Sequence, residues 1–221
     1  MTNRSSYQPS GKSANETDYA GAFVKHVHRL LGMGYARLVP ANYASADEEG
    51  ITGCLCDALD AVVDDPQSPA WLRYYSVHEE ARISDPKRKG KRRRRLDIRV
   101  DSAERRPRAR FPFEAKRLGT NHPVADYLGH DGLGRFIGGR YGKQVTVAGM
   151  LGYVQSGTPG VWATRIQQTM SRRARGLRLL ASSPWRPENL VARLKHTYRS
   201  GHDRPTIGKP IEVYHTLLVF N

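Results

Sequence analysis

Two cysteines, Cys54 and Cys56, are all that this chain of 221 residues contains, and that scarcity closes several routes at once. They lie two apart in a segment with helical spacing, where their side chains point in different directions, so neither a disulfide framework nor a four-cysteine zinc site is available. Both are expected to be reduced core residues. Long apolar runs are missing too, since no stretch approaches the roughly 18 to 20 apolar residues of a membrane span. The leading MTNRSSYQPSGKSANETD has no apolar stretch of the kind a signal peptide carries. A soluble, cytoplasmic protein without a membrane partner is the expectation. The eight histidines lack tight metal-ligand spacing apart from His26 and His28, which face apart on a helix, so a histidine-built metal centre is not expected.

Acidic residues are also scarce. The chain has 21 Asp and Glu against 36 Lys and Arg, a net charge of +15, which suits a polyanionic partner. More than half of that charge sits in KRKGKRRRR, from Lys87 to Arg95, where eight of nine residues are basic. Such a run is ordinarily a solvated loop, and in a eukaryote it can act as a nuclear-targeting signal. Nucleic acid is favoured over a membrane surface because no lipidation motif and no long amphipathic helix accompanies it.

The remaining pattern reads as one domain over residues 18–221, preceded by a flexible arm over residues 1–17. YAGAFVKHVHRLLGMG has helical spacing, with Gly32 and Gly34 as terminators. A second helix runs through SADEEGITGCLCDALDAVVDD: Ile51, Leu55, Leu59 and Val62 share a face, and Ser45 or Asp47 caps it above an acidic first turn. YYSVHEEARI reads as a strand, and RLDIRV and RFPFEAK read as antiparallel neighbours. In them Leu96, Ile98, Val100, Phe111, Phe113 and Ala115 alternate with Asp97, Arg99, Glu114 and Lys116. Pro112 counts against a central place for the last of these, since proline cannot donate to a ladder and prefers an edge or strand start. QVTVAGMLGYV and IEVYHTLLVF are further strands, TPGVWATRIQQTMSRRAR is an amphipathic helix, and DYLGHDGLGRFIGGRYG is a short helix or loop. In that loop Arg135, Arg140 and Tyr141 are candidate phosphate contacts, with an exposed loop as the default reading.

Chemistry concentrates in two strands. Residues i and i+2 of a strand share a face, so Glu114 and Lys116 project to the side that Asp97 faces from the neighbouring strand. Two carboxylates this close disfavour each other's ionisation unless a cation lies between them, and hard oxygen donors suit Mg²⁺. A metal there stabilises charge on a scissile phosphate, while the lysine positions or activates water. The pattern asks for phosphodiester hydrolysis; a structural ion pair on the strand is the alternative.

Asp97 followed across a hairpin by Glu114, Ala115 and Lys116 resembles the PD-(D/E)xK nuclease superfamily over about residues 45–155. The resemblance implies an α/β (α+β) restriction-endonuclease-like core, a central mixed β-sheet flanked by α-helices. It implies Asp97 and Glu114 as metal ligands, the Ala115 carbonyl as a third oxygen, Lys116 as the catalytic lysine, and Mg²⁺ or Mn²⁺ as cofactor. A carboxylate on the preceding helix completes such sites. Glu48 is favoured because it shares a face with Ile51, Thr52 and Leu55, while Glu49 and Glu80 stay open. Leu96 stands where the motif has proline.

The function implied is a metal-dependent nuclease acting on DNA in preference to RNA, compatible with prokaryotic restriction or antiphage defence. Partners of such a domain would be a second copy, to cut both strands, or a defence-system protein that supplies specificity. Arg92, Arg93, Arg94 and Arg95, with Arg117, Arg140, Arg172 and Arg173, are the candidate phosphate contacts. The alternative is a nuclease-fold subunit that binds nucleic acid without turnover. A basic ribosome-associated or RNA-packaging protein would account for the charge but not for the acidic constellation.

Overall fold

The alternation in RLDIRV and RFPFEAKRL produces the paired strands that its period requires, and five further strands extend them into one sheet. β1 (Tyr75–Arg82), β2 (Arg95–Ser102) and β3 (Ala109–Leu118) run antiparallel in sequence order. β4 (Val147–Val154), the two-residue β5 (Arg186–Pro187), β6 (Thr197–His202) and β7 (Ile211–Val219) complete a seven-stranded sheet of order β1-β2-β3-β4-β7-β6-β5. The β3–β4 and β4–β7 pairs are parallel and the others antiparallel, so the sheet is mixed. The computed structural model describes residues 14–82, 95–141 and 144–221. Most of the expected N-terminal arm, and Arg92, Arg93 and Arg94 with the rest of the basic run before Arg95, lie outside those residues.

Helices cover both faces. α1 (Ala14–Tyr35) and α2 (Glu48–Asp64) set Val27, Leu30, Ile51, Leu55 and Leu59 against Ile98, Phe111, Phe113, Ala115 and Tyr153. The opposite face carries Leu118, Met150, Val154 and Leu217. These pack on Tyr127 of α3 (Val124–Tyr127), Phe136 of α4 (Gly134–Ile137), and Trp162, Ile166 and Met170 of α5 (Pro159–Arg172). β4 lies between two parallel neighbours and is buried on both sides, which explains its unbroken apolar run. Among the described residues no helix is long and apolar enough to cross a membrane.

Three expectations are corrected. α1 begins at Ala14 rather than Asp18, and it runs through Gly32 and Gly34 instead of ending there. At Gly34 the reason is packing: a Cβ would come within 2.6 Å of Leu59 Cδ2, so the glycine lets α2 approach α1. Pro112 sits inside β3, opposite Arg99, yet pairing with β4 begins only at Phe113. At the proline β3 therefore has a neighbour on one side alone, and the missing N–H costs no ladder bond there. The glycine-punctuated segment after α3 does form a short helix, α4, but it is not exposed, because Leu133 and Phe136 are fully buried.

Cys56 is buried and Cys54 half-buried, both as free thiols. β6, which TYRSGH does not announce by composition, brings His202 and His215 together. Ser200 Oγ lies 2.8 Å from the Nε2 of each, and Tyr127 Oη lies 3.1 Å from His215 Nδ1.

Candidate active site

The ladder between β2 and β3 ends at Ile98 and Phe113. Beyond it, two N–H groups of β3 are received by carboxylates. Ala115 N–H donates to Asp97 Oδ2 at 2.7 Å, and Arg117 N–H to Glu48 Oε2 at 3.3 Å. Being two residues apart, they leave the strand on the same edge, so Asp97 and Glu48 line the edge where the two strands part.

Glu48 is held there by the start of α2. Asp47 caps the helix, its side chain accepting from Gly50 N–H at 2.7 Å. Thr52, one turn on, donates its hydroxyl to the Glu48 carbonyl and lies 3.0 Å from the Tyr153 hydroxyl, which ties the helix start to β4. Of the helix carboxylates it is Glu48, not Glu49, that reaches the centre. Glu80 instead forms an exposed ion pair with Arg95.

Lys116 joins the carboxylates. Its Nζ lies 2.5 Å from Glu48 Oε1 and 3.2 Å from Glu114 Oε1, and it donates to the Ala115 carbonyl at 2.7 Å. From the opposite side Arg135 of α4 donates to Glu114 Oε1 at 2.8 Å, and its guanidinium lies over the Tyr141 ring and bonds the Tyr141 hydroxyl. Glu114 is wholly buried, and its Oε2 has no hydrogen-bond partner among the described residues.

Among the described residues three carboxylates thus share this space with two cations, and the imbalance appears in their proton affinities. Burial, then the Asp97 charge, pushes Glu114 up to about 8 against the pull of Lys116 and Arg135. Burial also raises Asp97, opposed by the Ala115 N–H and by Lys116. Burial alone would lower Lys116, but Glu114, Glu48 and Asp97 outweigh it and hold the ammonium charged.

A cleft of about 350 Å³ opens beside Asp97, lined by Arg95, Asp131, Arg135, Arg140 and Tyr141. Of the candidate phosphate contacts, Arg95, Arg135, Arg140 and Tyr141 reach this cleft. Arg117 turns back toward the Ala46 carbonyl, 3.5 Å away. Arg172 lines a separate cavity along α5, and Arg173 is exposed at the end of that helix. Arg135 is the site residue whose role sequence reasoning understated. Its only local signal is a charge partner at i−4, Asp131, 3.6 Å away.

The donor set fits a hard divalent cation in part. Asp97, Glu114 with an oxygen unpartnered among the described residues, and the Ala115 carbonyl are the oxygen donors. Both Glu48 oxygens are engaged by Lys116 and Arg117. Among the described residues no three His, Cys, Asp or Glu side chains form a ready-made metal cage. Two carboxylates and a carbonyl match an ion that keeps several of its waters, as Mg²⁺ does. Comparison of the chain with protein-family models, curated proteins and solved structures finds no match.

Proposed function

We propose that the chain is a metal-dependent nuclease of the PD-(D/E)xK type that hydrolyses phosphodiester bonds of DNA. The observation that carries this reading is the meeting of Glu48, Glu114 and the Ala115 carbonyl around Lys116 Nζ, with Asp97 held against the same strand edge. An ion pair formed only for stability would not call for three carboxylates, one of them wholly buried with an oxygen that no described residue bonds.

In this reading Asp97, Glu114 and the Ala115 carbonyl hold Mg²⁺ or Mn²⁺, which supplies Lewis-acid stabilisation of charge on the scissile phosphate. Lys116 works as an ammonium: its carboxylate neighbours keep it protonated, so it orients water and stabilises developing negative charge rather than removing a proton. Glu48 aims Lys116. Arg135 neutralises Glu114 and offers a guanidinium at the cleft, where Arg95 and Arg140 add positive charge for a phosphate backbone. Cutting both strands of a duplex asks for a second copy, and specificity asks for a partner protein.

Incubating the protein with supercoiled plasmid DNA and Mg²⁺ tests the proposal. Nicking that disappears in Asp97→Ala and Lys116→Ala supports it, and cleavage that survives both changes removes it.

The second reading is a nuclease-fold subunit that binds nucleic acid without turnover. It is favoured by the cations already beside Glu114, since Lys116 and Arg135 both approach its Oε1 without any metal. A subunit of that kind takes up no Mg²⁺ through Asp97 and Glu114.

A further inference from the structure

TPGVWATRIQQTMSRRAR folds as α5, capped by Thr158, and its period divides it cleanly. Trp162, Ala163, Ile166 and Met170 are buried, while Arg165, Gln168, Thr169 and Arg172 follow at the i, i+3, i+4, i+7 spacing of one outer face. That face forms one wall of a cavity of about 630 Å³, larger than the cleft beside Asp97. The facing wall comes from the turns after β3 and β4, where Gly119, Thr120, Ser156 and Gly157 present little side chain and leave the groove wide.

Among the described residues no acidic side chain lines this groove. Arg165 lies over the Trp162 ring, 5.0 Å from its centroid, and Arg172 donates to the Thr169 hydroxyl at 3.4 Å. Among the described residues neither arginine is paired with a carboxylate. Two uncompensated guanidiniums beside an amide and a hydroxyl make a surface complementary to phosphate.

The groove begins just past the end of the strand that carries Glu114 and Lys116. Gly119 is three residues beyond Lys116 along β3, about 10 Å at strand rise. Lys116 shares its side of the strand with Leu118, which packs in the layer that contains α5. Gln155, next to Ser156, donates its amide to the Tyr43 and Ala46 carbonyls just before Glu48, so the groove wall and the aiming carboxylate are braced together.

We propose that this groove holds the phosphodiester backbone of the nucleic-acid strand leading away from the scissile bond, with Arg165 and Arg172 as its phosphate contacts. The position of the strand relative to Lys116 rests on the nuclease reading, whereas the binding does not.

The test is fluorescence anisotropy with a short labelled single-stranded DNA in EDTA, so that no turnover is needed. It compares the wild type, a double variant Arg165→Ala with Arg172→Ala, and a charge-matched double variant Arg73→Ala with Arg105→Ala. Both pairs are exposed, and unchanged melting temperatures establish that each variant folds. The groove variant is expected to weaken binding roughly tenfold and to reduce the slope of log affinity against log salt by about 1.4, two contacts at about 0.7 each. The matched variant should stay within about twofold. Equal loss in both pairs, or no loss in the groove pair, overturns the proposal. So does displacement of the DNA by inorganic phosphate at concentrations comparable to those of unlabelled strand, which would mark a small-anion site. Plasmid cleavage by the wild type decides the nuclease reading separately: binding without cleavage leaves the groove standing, and cleavage with an unaffected groove variant removes the groove alone.

Discussion

Lys116 Nζ lies 2.5 Å from Glu48 Oε1, joining the third strand to the first turn of the second helix across 68 positions of sequence. The same carboxylate accepts the Arg117 N–H with its other oxygen, so Glu48 is fixed at two points and can hold the ammonium in one orientation.

Glu48→Ala should therefore lower plasmid-nicking activity by about 10- to 100-fold, the range for losing a group that orients another. Glu49→Ala, one position on, should change it less than about twofold. Parallel initial-rate measurements check the pair, and equal effects would remove the special role of Glu48.

Arg135 donates to the buried Glu114 carboxylate, and its loss leaves Lys116 as the one cation on Oε1 among the described residues. Arg135→Ala should cost about 1–2 kcal/mol in urea unfolding. That is less than a fully buried pair would cost, because the arginine side chain is 26% exposed and Glu114 can take up a proton. Arg135→Lys should recover part of the stability.

His28 and His202 are buried without charge, each lowered from 6.5 to about 4 by burial. Between those values the unfolded chain binds protons that the folded chain refuses. Stability contributed by keeping them neutral is thus intact above pH 6.5, is lost as pH falls toward 4, and changes no further below that. Each contributes a loss of up to about 3 kcal/mol. Urea denaturation across pH 4 to 7 should show the decline, and His202→Gln should make it shallower.

Gly149 lies under the Phe113 ring, where a Cβ would come within 2.2 Å of Cδ1. Gly149→Ala should cost about 1–3 kcal/mol by overpacking. Because Phe113 adjoins Glu114, the change should also reduce plasmid nicking, which a purely local strain would leave intact.

The strands that carry the candidate site were legible because Ile98, Phe111, Phe113 and Ala115 obey a period of two, and the charges between them fall in phase on the other side. Glu48 was legible from its helical spacing with Ile51, Thr52 and Leu55. Arg135 was much less so. It reaches Glu114 through the burial of Leu133 and Phe136 in a segment with four glycines between positions 132 and 139, and no local period marks that burial. β6 was hidden for a related reason: TYRSGH has little β-branched or apolar character, and its strand state comes from pairing with β7 and from the contacts of Ser200 with His202 and His215. Gly34 misled because glycine ends helices often, whereas here it admits Leu59.

Calorimetric titration of Mn²⁺ into the wild-type chain and into Asp97→Ala tests the central claim most directly. The expected result is saturable uptake by the wild type that Asp97→Ala abolishes, with both proteins equally folded by circular dichroism. Absence of uptake by the wild type, or uptake unchanged in Asp97→Ala, would contradict a metal centre built on Asp97 and Glu114.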